Sequence, residues 1–137
     1  MTASRPPRGF EPDDLFFRAI PQEFVDLKRK RISPGAFSNT TRTEEMSVDW
    51  AFLSTASESM ARWAKPVAIG QFVKRICDDL QQQCVYQPLP ENPAHCAVIG
   101  RKPNSVAKQF ARAAQFVIWT DDWAIPEELR ARQAPLN

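Results

Sequence analysis

Twelve prolines divide this chain of 137 residues into short pieces. They stand at positions 6, 7, 12, 21, 34, 66, 88, 90, 93, 103, 126 and 135. Each fixes φ and removes a backbone donor, so none belongs inside a helix or a central strand. The residue before each is pushed out of the helical region as well. The prolines therefore act as punctuation that cuts the chain into short segments.

The pieces can be read one by one. Residues 1–12 read as a flexible arm. Leu15-Phe16-Phe17-Arg18-Ala19-Ile20 is apolar and aromatic between Asp14 and Pro21, which predicts a buried strand. Residues 32–42 carry turn chemistry in Ser33-Pro34-Gly35 and Ser38-Asn39-Thr40-Thr41. Met46-Ser47-Val48-Asp49-Trp50 alternates apolar with polar, a strand pattern. A helix is expected from Ser54, with Ser54, Thr55 and Ser57 as candidate caps and Glu58 in its first turn, ending near Ala64.

Ile69, Phe72, Val73, Ile76 and Leu80 fall at i, i+3, i+4, i+7 and i+11, which predicts an amphipathic helix over 69–80. Residues 84–89 and 95–99 read as short strands joined by a proline-rich link. A second helix is expected over 105–119, capped by Asn104 or Ser105, with Val106, Phe110, Ala114, Val117 and Ile118 buried. Pro126 opens a short polar helix candidate. The predicted class is α+β: a small short-stranded sheet with two or three amphipathic helices on one face. One domain spans 13–125, and 126–137 is a short helix or tail.

Composition removes several functional classes. The chain is 43% hydrophobic and 25% charged, ordinary for a globular protein. No apolar run approaches the roughly 18 residues of a membrane span, so no membrane partner is expected. Residues 1–8 contain no apolar stretch of the secretory kind. Cys77, Cys84 and Cys96 are odd in number, which suits reduced thiols in a cytoplasm. Their spacing and a single histidine do not make a zinc site, so neither metal nor cofactor is expected. The four glycines, at 9, 35, 70 and 100, cannot build a dinucleotide-binding or phosphate-cradling loop. Gly-x-Ser-x-Gly does not occur.

A few residues can carry chemistry. His95 is either a half-buried histidine at a strand start or a general acid or base. Its neighbour Cys96 points to the opposite face of a strand. Cys84 meets His95 only if the two strands pair in that register. Arg18 lies in so apolar a strand that it needs a partner: Asp49, Glu44 or Glu45, or else a ligand phosphate.

Two basic patches, Lys28, Arg29, Lys30, Arg31 and Arg101, Lys102, Lys108, Arg112, suit nucleic acid or an acidic protein, or form a solvated face. The net charge of +2 does not itself imply nucleic acid, and no nucleic-acid motif accompanies the patches. Of the four tryptophans, Trp63 and Trp123 are the candidates for a partner surface, while Trp119 reads as core.

Two resemblances add to this. The pieces Phe16-Phe17-Arg18-Ala19-Ile20-Pro21, Ser33-Pro34-Gly35-Ala36-Phe37, Met46-Ser47-Val48-Asp49 and Asn92-Pro93-Ala94-His95 resemble a pattern of small uncharacterised bacterial proteins. That resemblance implies a bacterial origin and no particular activity. Arg18 on an early strand and Ser47 on a later one are similar to positions in ADP-ribosyltransferase-like toxins. There such residues flank NAD, but the catalytic glutamate of that family has no counterpart here.

The sequence thus reads first as a non-enzymatic protein-interaction module: a subunit, accessory or immunity-type factor of a bacterial assembly. The rival is a nucleotide- or NAD-acting enzyme using Arg18, Ser47 and His95. A third reading is nucleic-acid binding through the basic patches.

Overall fold

The alternation seen in the sequence becomes a sheet with two different faces. A computed structural model describes residues 7–39 and 44–131. β1 (Leu15–Ile20), β4 (Glu45–Trp50), β5 (Ala68–Val73), β6 (Gln83–Tyr86), β7 (His95–Ile99) and β8 (Gln115–Ile118) form one antiparallel sheet in the order β6-β7-β4-β1-β5-β8. β2 (Val25–Asp26) and β3 (Arg31–Ile32) form a separate two-stranded ribbon. The helices are α1 (Ala56–Ala61), α2 (Lys74–Asp79) and α3 (Asn104–Ala113). This is the expected α+β class.

One face carries the main core. Phe16 and Ile20 of β1, Met46, Val48 and Trp50 of β4, Phe72 of β5 and Phe116 of β8 are buried on it. α3 covers them with Phe110 and Ala111, beside Phe37 from a 3-10 turn over Pro34–Phe37. Phe72 meets Phe110 edge to face at 5.2 Å, and Phe37 stacks on Phe110 at 5.9 Å. The opposite face holds a smaller cluster. Phe17, Val67 and Ile69 are covered by Ala56 and Met60 of α1. The helices therefore lie on both faces, not on one, because β1 and β5 are apolar on both sides and each side needs a cover.

The expected helix over 69–80 is instead β5 followed by α2. A strand buried on both faces loses its period-two signature and mimics helical spacing. Gly70 lies within β5, where an added Cβ would come 2.7 Å from Ile20 Cδ1. The expected helix over 105–119 ends at Ala113. Ala114 is extended, and the β-branched run that follows becomes edge strand β8. Neither Asn104 nor Ser105 caps α3, since the N-cap position is Pro103. α1 starts with a capping box in which Glu58 N–H donates to Thr55 Oγ1 at 3.1 Å and Thr55 N–H donates to Glu58 Oε1 at 2.8 Å. The helix expected from Pro126 is a 3-10 turn over Glu127–Leu129.

Part of the expected arm is docked. Residues 1–6 lie outside the described residues, as do 40–43 and 132–137, which include Thr40 and Thr41 of the expected turn and the second half of the expected helix or tail over 126–137. Phe10 packs edge-on against Trp50 at 4.6 Å and against Phe16 at 5.5 Å. Arg8 donates to both oxygens of Asp14, at 2.6 and 3.0 Å, and that bonding holds the carboxyl below its ordinary range. Its guanidinium lies 4.3 Å from the Phe52 ring centroid.

Phe72→Ala and Phe110→Ala should each destabilise the fold by about 3–5 kcal/mol, since each leaves a cavity in the main core. Chemical unfolding measures this, and an unchanged midpoint for either variant would contradict the packing described.

Candidate functional site

Where α1 ends, the second face of the sheet opens. The strand period sets which side chains look into the opening. Ser47 and Asp49 of β4 share that face, because Met46, Val48 and Trp50 point to the main core. β7 pairs antiparallel with β4 and places His95 opposite Asp49. Phe17 and Ala19 of β1 and Ile69 of β5 form an apolar floor. Arg62 and Trp63 close one side from the end of α1. Leu89, Glu91 and Asn92 close the other side from the link between β6 and β7. The resulting pocket has a volume of about 390 Å³.

His95 is held at both ring nitrogens. Nδ1 lies 2.9 Å from the Gln87 carbonyl oxygen, and Nε2 lies 3.2 Å from Ser47 Oγ. A carbonyl oxygen can only accept, so Nδ1 carries the proton of the neutral ring. Nε2 is then the acceptor facing the Ser47 hydroxyl. This is the arrangement of a serine beside a histidine base, with a backbone carbonyl as the orienting group.

Asp49 ties the two walls to the sheet. Its Oδ2 accepts from Arg62 Nη1 at 2.8 Å, and its Oδ1 accepts from Asn92 Nδ2 at 2.7 Å. Arg62 Nη1 also donates to Ser54 Oγ at 2.9 Å. Asn92 in turn accepts from Ala94 N–H at 3.1 Å, and its backbone exchanges two hydrogen bonds of 3.0 Å with Leu89. The proline-rich link is thus a bonded hairpin rather than a loose extended segment. Trp63 is 48% exposed and Leu89 41% exposed, and both stand at the pocket mouth.

Of the three proposed enzyme residues, Ser47 and His95 are brought together and Arg18 is not. Arg18 shares the main-core face of β1 with Phe16 and Ile20 and is 9% exposed. Its expected carboxylate partners do not take its protons. Nε donates to the Ala36 carbonyl at 3.0 Å, Nη1 to the Ser47 carbonyl at 2.7 Å and Nη2 to the Ser38 carbonyl at 3.3 Å. Burial lowers its pKa to about 10, so it remains a cation at neutral pH. The ADP-ribosyltransferase-like pairing of Arg18 with the Ser47 hydroxyl across one NAD site is therefore not assembled. The two groups lie on opposite faces of the sheet.

Other candidates sort themselves by position. Trp123 is 8% exposed and belongs to the main core, so it is not a partner surface. Trp119 packs on the core margin, with the Arg130 guanidinium 5.3 Å from its ring centroid. Cys84 pairs with Val98 and packs on the main core, so it does not meet His95. Its thiol hydrogen-bonds with that of Cys77, which lowers the Cys84 pKa and raises that of Cys77. Burial pushes Cys96 up to about 12. Among the described residues no group of three His, Cys, Asp or Glu side chains is placed to hold a metal ion.

The two basic patches meet in part. Lys30 and Arg31 of the ribbon and Lys108 and Arg112 of α3 line a smaller pocket of about 200 Å³. Acids already engage several of these cations: Glu128 lies 3.5 Å from Lys30, and Asp26 pairs with Arg29 at 3.2 Å and Arg31 at 3.4 Å. Lys28 is exposed on the ribbon turn, and Arg101 is exposed at the far end of the α3 segment. Lys102 turns inward and donates to the Val98 and Gly100 carbonyls, each at 2.9 Å. Burial pushes its pKa down to about 8.

Asp49, Arg62 and Asn92 were not among the candidate site residues. Asp49 was legible, because it alternates with Ser47 on one strand face. Arg62 and Asn92 carried no local signal, since only the fold brings a helix end and a hairpin tip to the same carboxylate. Comparison with known proteins gives no match: no family model, curated protein or solved structure matches the chain.

Arg18→Leu should destabilise the fold by about 3 kcal/mol or more, because buried carbonyls lose a charged donor. Thermal and urea unfolding measure this. A variant with wild-type stability would show that Arg18 is not structural.

Proposed function

We propose that this chain is a binding protein whose ligand sits in the pocket between α1 and the β6–β7 link. The ligand has an apolar body and an uncharged hydrogen-bonding head. The observation that carries this reading is the pocket itself: an apolar floor of Phe17, Ala19 and Ile69 walled by a few polar side chains. The charges favour an uncharged head, because Asp49 and Arg62 form an ion pair at 2.8 Å and Asn92 engages the other carboxylate oxygen. A phosphate would have to compete with Asp49 for Arg62 and would meet Glu91 on the pocket wall. Esters, amides and ketones suit the site better, with a carbonyl facing the donors of Arg62 and Asn92.

A second reading rests on the exposed Trp63 and Leu89 at the mouth. Tryptophan is enriched among the residues that anchor protein contacts, and Leu89 extends the apolar surface beside it. In that reading the chain is an interaction module, and a partner protein inserts one apolar side chain into the pocket.

Ligand binding to the folded state raises stability by about 2.7 kcal/mol at one hundred times Kd. A panel of neutral esters, amides and short acetylated peptides should therefore contain compounds that raise Tm saturably. Filling the floor with Ala19→Leu should abolish the shift, and Trp63→Phe should remove the accompanying change in emission. If no compound moves Tm or Trp63 emission, the small-ligand reading fails. A purified protein partner whose binding is lost on Trp63→Ala, with no response to small molecules, would establish the docking reading instead.

A further inference from the structure

We propose that Ser47 is a nucleophile that accepts an acyl group from neutral carboxylic esters with small apolar acyl chains, and that His95 is its general base. This rests on the pocket being a ligand site and adds a covalent step to it.

The argument starts from the histidine. Imidazole can relay a proton only if one nitrogen is fixed as donor and the other is free to accept. The Gln87 carbonyl, 2.9 Å from Nδ1, imposes that tautomer. Nε2 then faces Ser47 Oγ at 3.2 Å, within the reach of a serine–histidine pair before substrate binds. Both side chains open into the pocket, so an acyl carbon can approach Oγ from the apolar side. Phe17, Ala19 and Ile69 provide a floor for a short hydrocarbon chain. The Asn92 amide and the Arg62 guanidinium line the same pocket. Asn92 keeps one N–H beyond that directed at Asp49, and Arg62 keeps those of Nε and Nη2 beyond the Nη1 engaged by Asp49 and Ser54, and these can donate to the carbonyl oxygen.

The step balances without any co-reactant besides the ester and water. Ser47 Oγ bonds to the ester carbonyl carbon while its proton moves to His95 Nε2. The carbon–oxygen bond to the alcohol breaks, and the departing oxygen takes that proton. Ser47 is left as an ester. Water then attacks the same carbon, giving a proton to Nε2. Ser47 Oγ leaves with that proton, and a carboxylic acid is released.

The test treats the full chain with p-nitrophenyl butyrate and, separately, with diisopropyl fluorophosphate. Intact mass and peptide mapping follow the label. The expected result is one equivalent of diisopropylphosphoryl label on Ser47 and turnover release of p-nitrophenol from the ester, neither of them with Ser47→Ala, and both at least about 100-fold slower in His95→Gln. Circular dichroism and melting check that both variants fold. If Ser47→Ala fails to fold, the mapped position on the wild type decides the matter alone. Label on a lysine, on Cys84 or nowhere overturns the proposal, as does an unchanged rate in folded His95→Gln. Saturable Tm shifts with unreactive amides but no label on Ser47 would overturn the nucleophile while leaving the ligand pocket standing. Neither shift nor label would remove both.

Discussion

A guanidinium buried among carbonyls organises this fold. Arg18 reaches three backbone oxygens, two on the segment 36–38 and one on β4. It thereby holds the 3-10 turn that delivers Phe37 to the core, and it joins that turn to the central strand pair. An isolated charge in such a place is costly, and the cost is offset only while all three carbonyls stay aimed at it. The main core of Phe16, Phe72, Phe110 and Phe116 packs on the same face. The polar side chains of β4 are left to the other face, and the pocket grows from them.

Asp49 does on that second face what Arg18 does on the first. One carboxylate receives Arg62 from the end of a helix and Asn92 from the tip of a hairpin. Both walls of the pocket therefore hang from a single residue in the middle of the sheet. The helix is only six residues long and begins with a capping box, so its end is set by few residues. The hairpin is held by its own bonds, including Tyr86 O–H to the Pro93 carbonyl at 2.8 Å. Short, separately tied elements suit a site that needs fixed positions more than a large enclosing structure.

The legible part of the fold was whatever expressed itself locally. β1, β4 and the capping box of α1 follow from composition, alternation and cap chemistry within a few residues. β5 was hidden because both of its faces are buried, so its apolar positions matched helical spacing as well as any helix would. β8 was hidden because it follows α3 with no breaker between them. In the site, the shared face of Ser47 and Asp49 follows from strand period, and the separation of His95 from Cys96 follows from the same rule. The meeting of Ser47 with His95 required the β4–β7 register, which no local pattern encodes. The apolar surroundings of Arg18 show that it must be satisfied, but they point to a carboxylate or a ligand phosphate. Backbone carbonyls can do the same work and leave no trace in side-chain composition.

The orienting group of His95 is a main-chain oxygen, and that has a genetic consequence. No side-chain replacement at Gln87 deletes it. Its position depends on the path of the chain from β6 to β7, where Pro88, Pro90 and Pro93 restrict the backbone. Evolution can therefore vary the identity of residue 87 without touching the histidine's tautomer, whereas one inserted or deleted residue in the hairpin would move the oxygen away. In such a site the length of a loop constrains the histidine as a side-chain partner would elsewhere.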